Sequence, residues 1–283
     1  MSGLIFVVIA GLFGLLLGSF LNVVAFRLPQ MTVSGIVRHG KSLWFLSWPL
    51  SYCPHCETPI PPRYNIPLLG FAFLRGRTAC CGRSIGWCYP LIEASGGLIA
   101  VAAAMHYGQS VDFVLAMAFM SILLVAAVID MRKYYLPDIL TLSLLWLGLL
   151  ANIDTRFALL SDAVLGAAGG YLGMYMLAAA GTAALNKPVM GGGDFKLMAA
   201  LGAWLGWQAL PLLLFLACLG GIFYAMVIYG IRTLKSSPKR QKTRRFLGGR
   251  FHFGPVLAAA GVIMLFWGDA LTSTYWVFVA GGR

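Results

Sequence analysis

Charge is scarce in this 283-residue chain, and negative charge scarcest: 11% of residues are charged, with nine acidic residues against 21 lysines and arginines. Hydrophobic residues make up 60% of it. That balance excludes a soluble globular domain, which needs far more polar surface to face water. A strand followed by a glycine fingerprint is also missing, so no dinucleotide-type fold is expected. No charge precedes the first apolar run and no small-residue cleavage site follows it. The run therefore reads as a retained span and not a removed signal.

What the chain does have is long apolar runs. A span needs about 20 apolar residues, and eight segments are expected at residues 4–25, 90–106, 111–129, 136–152, 162–185, 195–207, 209–231 and 255–280. The sixth is short, running from a glycine-rich turn to Gly206-Trp207. The fold class is an all-α integral membrane protein. Its organisation is a first transmembrane helix (1–25), a loop domain rich in cysteine (26–89) and a polytopic core (90–283). Gly11, Gly14 and Gly18 in the first span, and Gly166, Gly169, Gly170 and Gly173 in the fifth, offer small faces for close helix contact.

Basic residues orient the spans. Arg156 and Arg283 fall on the side of the amino terminus; the others gather in the loops 26–89 and 232–252 and near 131 and 190. By the positive-inside rule the amino terminus lies outside and those loops are cytoplasmic. The run Arg232, Lys235, Lys239, Arg240, Lys242, Arg244, Arg245 reads as a topogenic loop touching anionic lipid headgroups of the bilayer, and no nucleic-acid partner is expected.

Among so few acids, two stand where spans meet the cytoplasmic face: Asp130 at the end of the third, and Asp194 after Gly191-Gly192-Gly193 at the start of the sixth. Ionisable groups at membrane depth are functional candidates. Two carboxylates in reach of one another share a proton, and such a dyad can activate water and protonate a leaving amine. The pair therefore suggests an intramembrane aspartyl protease. Gly191 and Gly193 would let a substrate backbone approach and would tolerate positive φ at the helix entry. The simpler readings are that Asp194 caps the sixth helix and that Asp130 pairs with Arg132 or Lys133. Asp138, after Pro137, suits the start of a helix dipole or a role supporting the site.

The first loop carries a metal knuckle, Cys53-Pro54-His55-Cys56, whose spacing lets two thiolates converge on one ion. The pattern half repeats: Cys56 to Ile60 aligns with Cys81 to Ile85. The repeat predicts a cysteine at 78, where the chain has Thr78, with Cys80 beside Cys81 instead. The expected ligands are Cys53, Cys56, Cys80 and Cys81, with His55 or Cys88 as alternatives for the fourth. Zn2+ in a structural role is the expected occupant, since four protein ligands leave no open position for a catalytic water. A cytoplasmic loop argues against a disulfide.

At these residues the chain resembles the type IV prepilin leader peptidase family, which includes the peptidases of type II secretion systems. The match comprises Asp130 with Leu136-Pro137-Asp138, and Gly191-Gly192-Gly193-Asp194-Phe195-Lys196. Gly18-Ser19-Phe20-Leu21-Asn22, Asn65-Ile66-Pro67, Tyr89-Pro90-Leu91-Ile92-Glu93 and Phe253-Gly254-Pro255 extend it across nearly the whole length. The resemblance implies a bacterial inner-membrane enzyme, with its amino terminus periplasmic, that cuts the basic leader from type IV prepilins or pseudopilins at the cytoplasmic face after a glycine. It makes Asp130 and Asp194 the catalytic aspartates, supported by Gly191, Gly193, Lys196 and Asp138. It also implies a zinc-ribbon-like loop domain, and methylation of the new amino terminus from S-adenosylmethionine. Glu93 reads equally as a helix-entry charge and as part of that methyl-transfer site. Two other classes stay open from the residues alone: a transporter relaying protons through the carboxylates, and a non-catalytic zinc-bearing assembly protein.

Overall fold

The computed structural model describes residues 3–33, 52–53, 55–235 and 252–279. Among these, nine α-helices form: α1 (Gly3–Val33), α2 (Leu69–Phe73), α3 (Cys88–Tyr107), α4 (Val111–Lys133), α5 (Asp138–Ala151), α6 (Leu160–Leu185), α7 (Gly192–Leu205), α8 (Leu210–Lys235) and α9 (Gly254–Val279). No strand appears among the described residues beyond two isolated bridges. Every predicted span is a helix. Six of them, α1, α3, α4, α6, α8 and α9, are long and apolar enough to cross a membrane, and the protein is a multipass membrane protein. The predicted fourth and sixth spans, α5 and α7, have 14 residues each. At 1.5 Å per residue that is about 21 Å, short of the ~30 Å hydrocarbon layer. The count of eight is thus eight helices with six full-length spans. Lys239 to Arg245 of the basic run lie outside the described residues.

The chain divides into two compact units, residues 1–125 and 126–283, with the boundary inside α4. In the first unit α1 packs along α3. The glycine face predicted for the first span is used here: a Cβ on Gly96 would stand 2.5 Å from the carbonyl oxygen of Gly14. No larger residue keeps two helix backbones this close. The opposite face of α1 exposes Leu4, Leu12, Phe13 and Leu16, the apolar surface a lipid-facing helix presents.

The second unit is built around α7. Phe195 and every residue from Leu197 to Trp204 are buried, enclosed by α5, α6 and α9. Gly166 of α6 and Gly202 of α7 meet backbone to backbone. The fully buried Trp204 donates its indole N–H to the Leu144 carbonyl of α5 at 2.8 Å. Asn152, also fully buried, closes the far end of α7. Its Nδ2 donates to the Ala203 and Trp204 carbonyls at 2.9 and 3.0 Å, and its Oδ1 accepts the Phe157 and Ala158 N–H groups. These carbonyls, left without partners where the helix stops, would otherwise be orphaned in an apolar surrounding. Anchored this way, α7 holds its first turn in a defined place.

Candidate active site

Three helix ends of the second unit converge on the aspartates. Asp130 lies in the last turn of α4 and is 7% exposed. Its Oδ2 accepts the N–H of Gly254, the first residue of α9, at 3.2 Å. The positive end of a helix dipole thus faces the carboxylate. A Cβ at Gly254 would stand 2.8 Å from that oxygen, so glycine makes the approach possible. One turn on, Tyr134 stacks on His252 with ring centroids 3.8 Å apart.

Asp194 is the third residue of α7 and lies outside the six spans. Burial pushes its carboxyl up to about 7, the charge of Asp130 adds to the rise, and a backbone hydrogen bond at Gly191 holds it back. The two carboxylates therefore feel one another, as a proton-sharing pair must.

The capping reading of Asp194 holds in part, since its carboxylate, at the third position of α7, accepts a hydrogen bond from the Gly191 backbone; the ion-pair reading of Asp130 does not. The N-cap of α7 is Gly191, without a side-chain cap hydrogen bond. Among the described residues no ion pair joins Asp130 to Arg132 or Lys133. Asp138 opens α5 and pairs instead with Lys196 of α7, Nζ to Oδ1 at 2.7 Å. The pair is exposed enough to contribute under about 1 kcal/mol, yet it ties the start of α5 to the first turns of α7.

The tolerance of positive φ is not called on at the glycine turn. Gly191 is extended, with φ −85°, and Gly193 is not among the positive-φ residues. What requires glycine at 193 is space, since a Cβ there would stand 2.8 Å from the Leu136 Cβ. A Cβ added at Gly191 or Gly192 would meet nothing within 4 Å, so these two leave the backbone open to a substrate. The Gly254 N–H and the Tyr134–His252 stack are parts of the site that the sequence reading did not include. The Gly254-Pro255 step was the available signal, because proline near the first position marks a helix start.

In the first unit the four predicted cysteines come together. The Sγ atoms of Cys53, Cys56, Cys80 and Cys81 all lie within 4.8 Å of one another, with Cys56 to Cys80 at 3.2 Å and Cys53 to Cys81 at 3.8 Å. Tetrahedral ligation at about 2.3 Å per bond places sulfurs ~3.8 Å apart, so the set fits one metal ion. The half repeat is real in the backbone. Cys53 N–H donates to the Thr58 carbonyl and Glu57 N–H to that of Cys53; Thr78 N–H donates to the Arg83 carbonyl and Gly82 N–H to that of Thr78. Thr78 thus stands where a cysteine would, and Cys80, in the place of His55, supplies the fourth sulfur. Neither His55 nor Cys88 belongs to the cluster. The Thr58 hydroxyl beside Cys56 lowers that thiol to about 6, the Thr78 hydroxyl lowers Cys81, and the neighbouring Cys56 raises Cys80. Lowered thiols favour the thiolates a metal needs. Glu93, in the first turns of α3, accepts the Leu68 N–H at 2.8 Å.

Comparison with known proteins agrees with both units. Residues 117–226, which hold both aspartates, match the model of the type IV leader peptidase family, and residues 12–107, which hold the cysteines and Glu93, match that of the bacterial peptidase A24 N-terminal domain. A prepilin leader peptidase/N-methyltransferase of Pectobacterium carotovorum subsp. carotovorum is 43% identical over 261 residues, covering 89% of this chain and 90% of that protein. Proteins of the same name from Aeromonas hydrophila and Pseudomonas aeruginosa are 42% identical (93% and 91% covered) and 40% identical (97% and 95% covered). No solved structure matches the chain.

Proposed function

The chain belongs to the type IV leader peptidase family, and we propose that it is a prepilin leader peptidase that also methylates the amino terminus it exposes. The observation that carries the peptidase reading is the buried Asp130 placed where its charge raises Asp194. One proton shared by the pair leaves one carboxylate ionised and one protonated near neutral pH. The ionised member takes a proton from water, and the hydroxide so formed attacks the scissile carbonyl. The protonated member hydrogen-bonds to that carbonyl oxygen, and the leaving amine collects a proton as the C–N bond breaks. The acid and base roles belong to the pair and not to either residue. The Gly254 N–H holds Asp130 in place, Lys196 and Asp138 fix the opening of α7, Gly191 and Gly192 keep the approach clear, and Gly193 lets α7 pack against Leu136.

The substrates are type IV prepilins or pseudopilins, cut at the cytoplasmic face of the bacterial inner membrane with the amino terminus periplasmic, as the basic loops orient the chain. The cysteine cluster binds Zn2+ in a structural role, the four thiolates leaving no open position. S-adenosylmethionine, when bound, supplies the methyl group: the amine lone pair forms the new N–C bond, the S–C pair returns to sulfur, and a proton leaves the nitrogen.

The test is cleavage of a co-expressed prepilin by wild type, Asp130→Asn and Asp194→Asn, with mass spectrometry of the mature amino terminus with and without the methyl donor. Loss of cleavage in both variants, and a wild-type product heavier by one methyl only with donor, is expected. Normal processing by either variant overturns the dyad.

A further inference from the structure

Between Glu57 and Glu93 the chain carries four arginines, Arg63, Arg75, Arg77 and Arg83, with no lysine and no further acid. All four are exposed. An exposed patch of one sign, leading into the start of a membrane span, suits an anionic partner. Arg75 and Arg77 line an open cleft of about 430 Å³ together with Phe71, Ser84 and Trp87. Among the described residues neither arginine has an ion-pair partner.

The turn that carries them is fixed on both sides. At the end of α2 the Gly76 N–H donates to the Phe71 carbonyl at 3.0 Å and the Arg75 N–H to the Ala72 carbonyl at 3.1 Å, the Schellman arrangement of a helix end. The left-handed position of that motif usually holds glycine or asparagine; here it holds Arg75, with φ 49°. Beyond it, the Ile85 N–H donates to the Gly76 carbonyl at 2.7 Å and Arg77 bridges Ser84. The planar fork of arginine meets phosphate oxygens in pairs, where a lysine ammonium offers a point charge.

An anion alone does not account for the rest of this surface. Trp87 is 72% exposed, directly precedes the α3 span, and packs its ring on Phe71 of α2 with centroids 5.1 Å apart. Phe73 and Leu69 of the same short helix are also exposed. A tryptophan at the end of a span stands at headgroup depth, and the ring contact brings α2 to that depth with it. Arginines beside exposed apolar side chains at this level complement a molecule that joins a phosphate to hydrocarbon.

We propose that this cleft binds an anionic phospholipid, its phosphate held by Arg75 and Arg77 and its acyl carbons lying against Leu69, Phe73 and Trp87. Binding there fixes the second cysteine turn, Thr78 to Arg83, at the membrane surface, because Arg77 and Ser84 close that turn. The site lies apart from the carboxylates and depends on neither the peptidase nor the methyltransferase reading.

The test uses the intact protein in nanodiscs doped with a photoactivatable phosphatidylglycerol or, separately, a photoactivatable phosphatidylcholine, digested for mass spectrometry. Phosphatidylglycerol label is expected on peptides from residues 69–87, well above that from phosphatidylcholine. Arg75→Gln with Arg77→Gln should cut it about tenfold or more, each arginine near an anionic surface contributing about fivefold, at unchanged melting temperature in phosphatidylcholine alone. Equal labelling by the two lipids, wild-type labelling of the double variant, or label only outside residues 69–87 overturns the site. Excess glycerol phosphate should leave the label in place; displacement by it would make the cleft a site for small phosphates and overturn the phospholipid as its occupant.

Discussion

Gly254→Ala tests the structural account of the aspartates without touching either one. The new methyl would stand 2.8 Å from Asp130 Oδ2 and 3.2 Å from its Cγ, whereas non-bonded carbon contacts settle near 3.5 Å. The carboxylate must therefore move by about half an ångström or more. Doing so breaks the 3.2 Å hydrogen bond from the Gly254 N–H. A hydrogen bond to a charged group is worth roughly 1.5–3 kcal/mol, which corresponds to about 10- to 150-fold in rate. A misplaced catalytic group alone costs up to ~100-fold. We expect kcat/KM for prepilin cleavage to fall about 10- to 100-fold, with the protein still accumulating in the membrane. The companion Gly173→Ala, where an added Cβ meets nothing within 4 Å, should cleave like wild type. Cleavage by Gly254→Ala within about threefold of wild type, at comparable accumulation, would refute the role given to the α9 terminus.

The raised carboxyl of Asp194 makes a stability prediction with a definite sign. Its folded value of about 7 lies above the ordinary carboxylate value of 3.8, so its contribution to stability is fully present below that ordinary value and is lost as pH rises through about 7. Asp194→Asn should therefore gain thermal stability over wild type at pH 8 and little at pH 4; a gain independent of pH would count against burial as the cause. Cleavage by wild type should decline on the alkaline side with a midpoint near 7, where the shared proton leaves, and a flat rate through pH 9 would contradict the dyad. Asn152→Leu removes four hydrogen bonds at the end of α7. At about 1 kcal/mol each it should lower the melting temperature sharply, and an unchanged melting curve would mean that Asn152 does not anchor α7. Metal analysis of chelator-free protein should return one zinc per chain, reduced by Cys56→Ser; a value well below one in wild type would discard the metal cluster.

Much of this protein is decided by local pattern. Apolar runs interrupted by charged turns marked eight of the nine helices, six of them of membrane length, because an uninterrupted apolar run in lipid satisfies its backbone within a helix. The scarcity of acids drew attention to Asp130 and Asp194, and the two-residue spacer marked Cys53 and Cys56. The displaced cysteine was also visible as a broken repeat, and Cys80 was the expected fourth ligand; the folded turns bring it to face Cys56 and leave the alternatives His55 and Cys88 outside the cluster.

Contacts between distant helices decided the rest. The Gly254 N–H reaches Asp130 across 124 positions, and Lys196 reaches Asp138 across 58; no periodicity within one segment reports such a meeting. Length alone made α7 a weak span, whereas packing makes it the buried centre of its unit, since its glycines and its anchoring by Asn152 act only when α5 and α6 are in place. The sequence pattern put the aspartates at the ends of apolar runs. The influence of one charge on the other exists only in the tertiary structure, because Coulomb energy depends on separation in space and not along the chain.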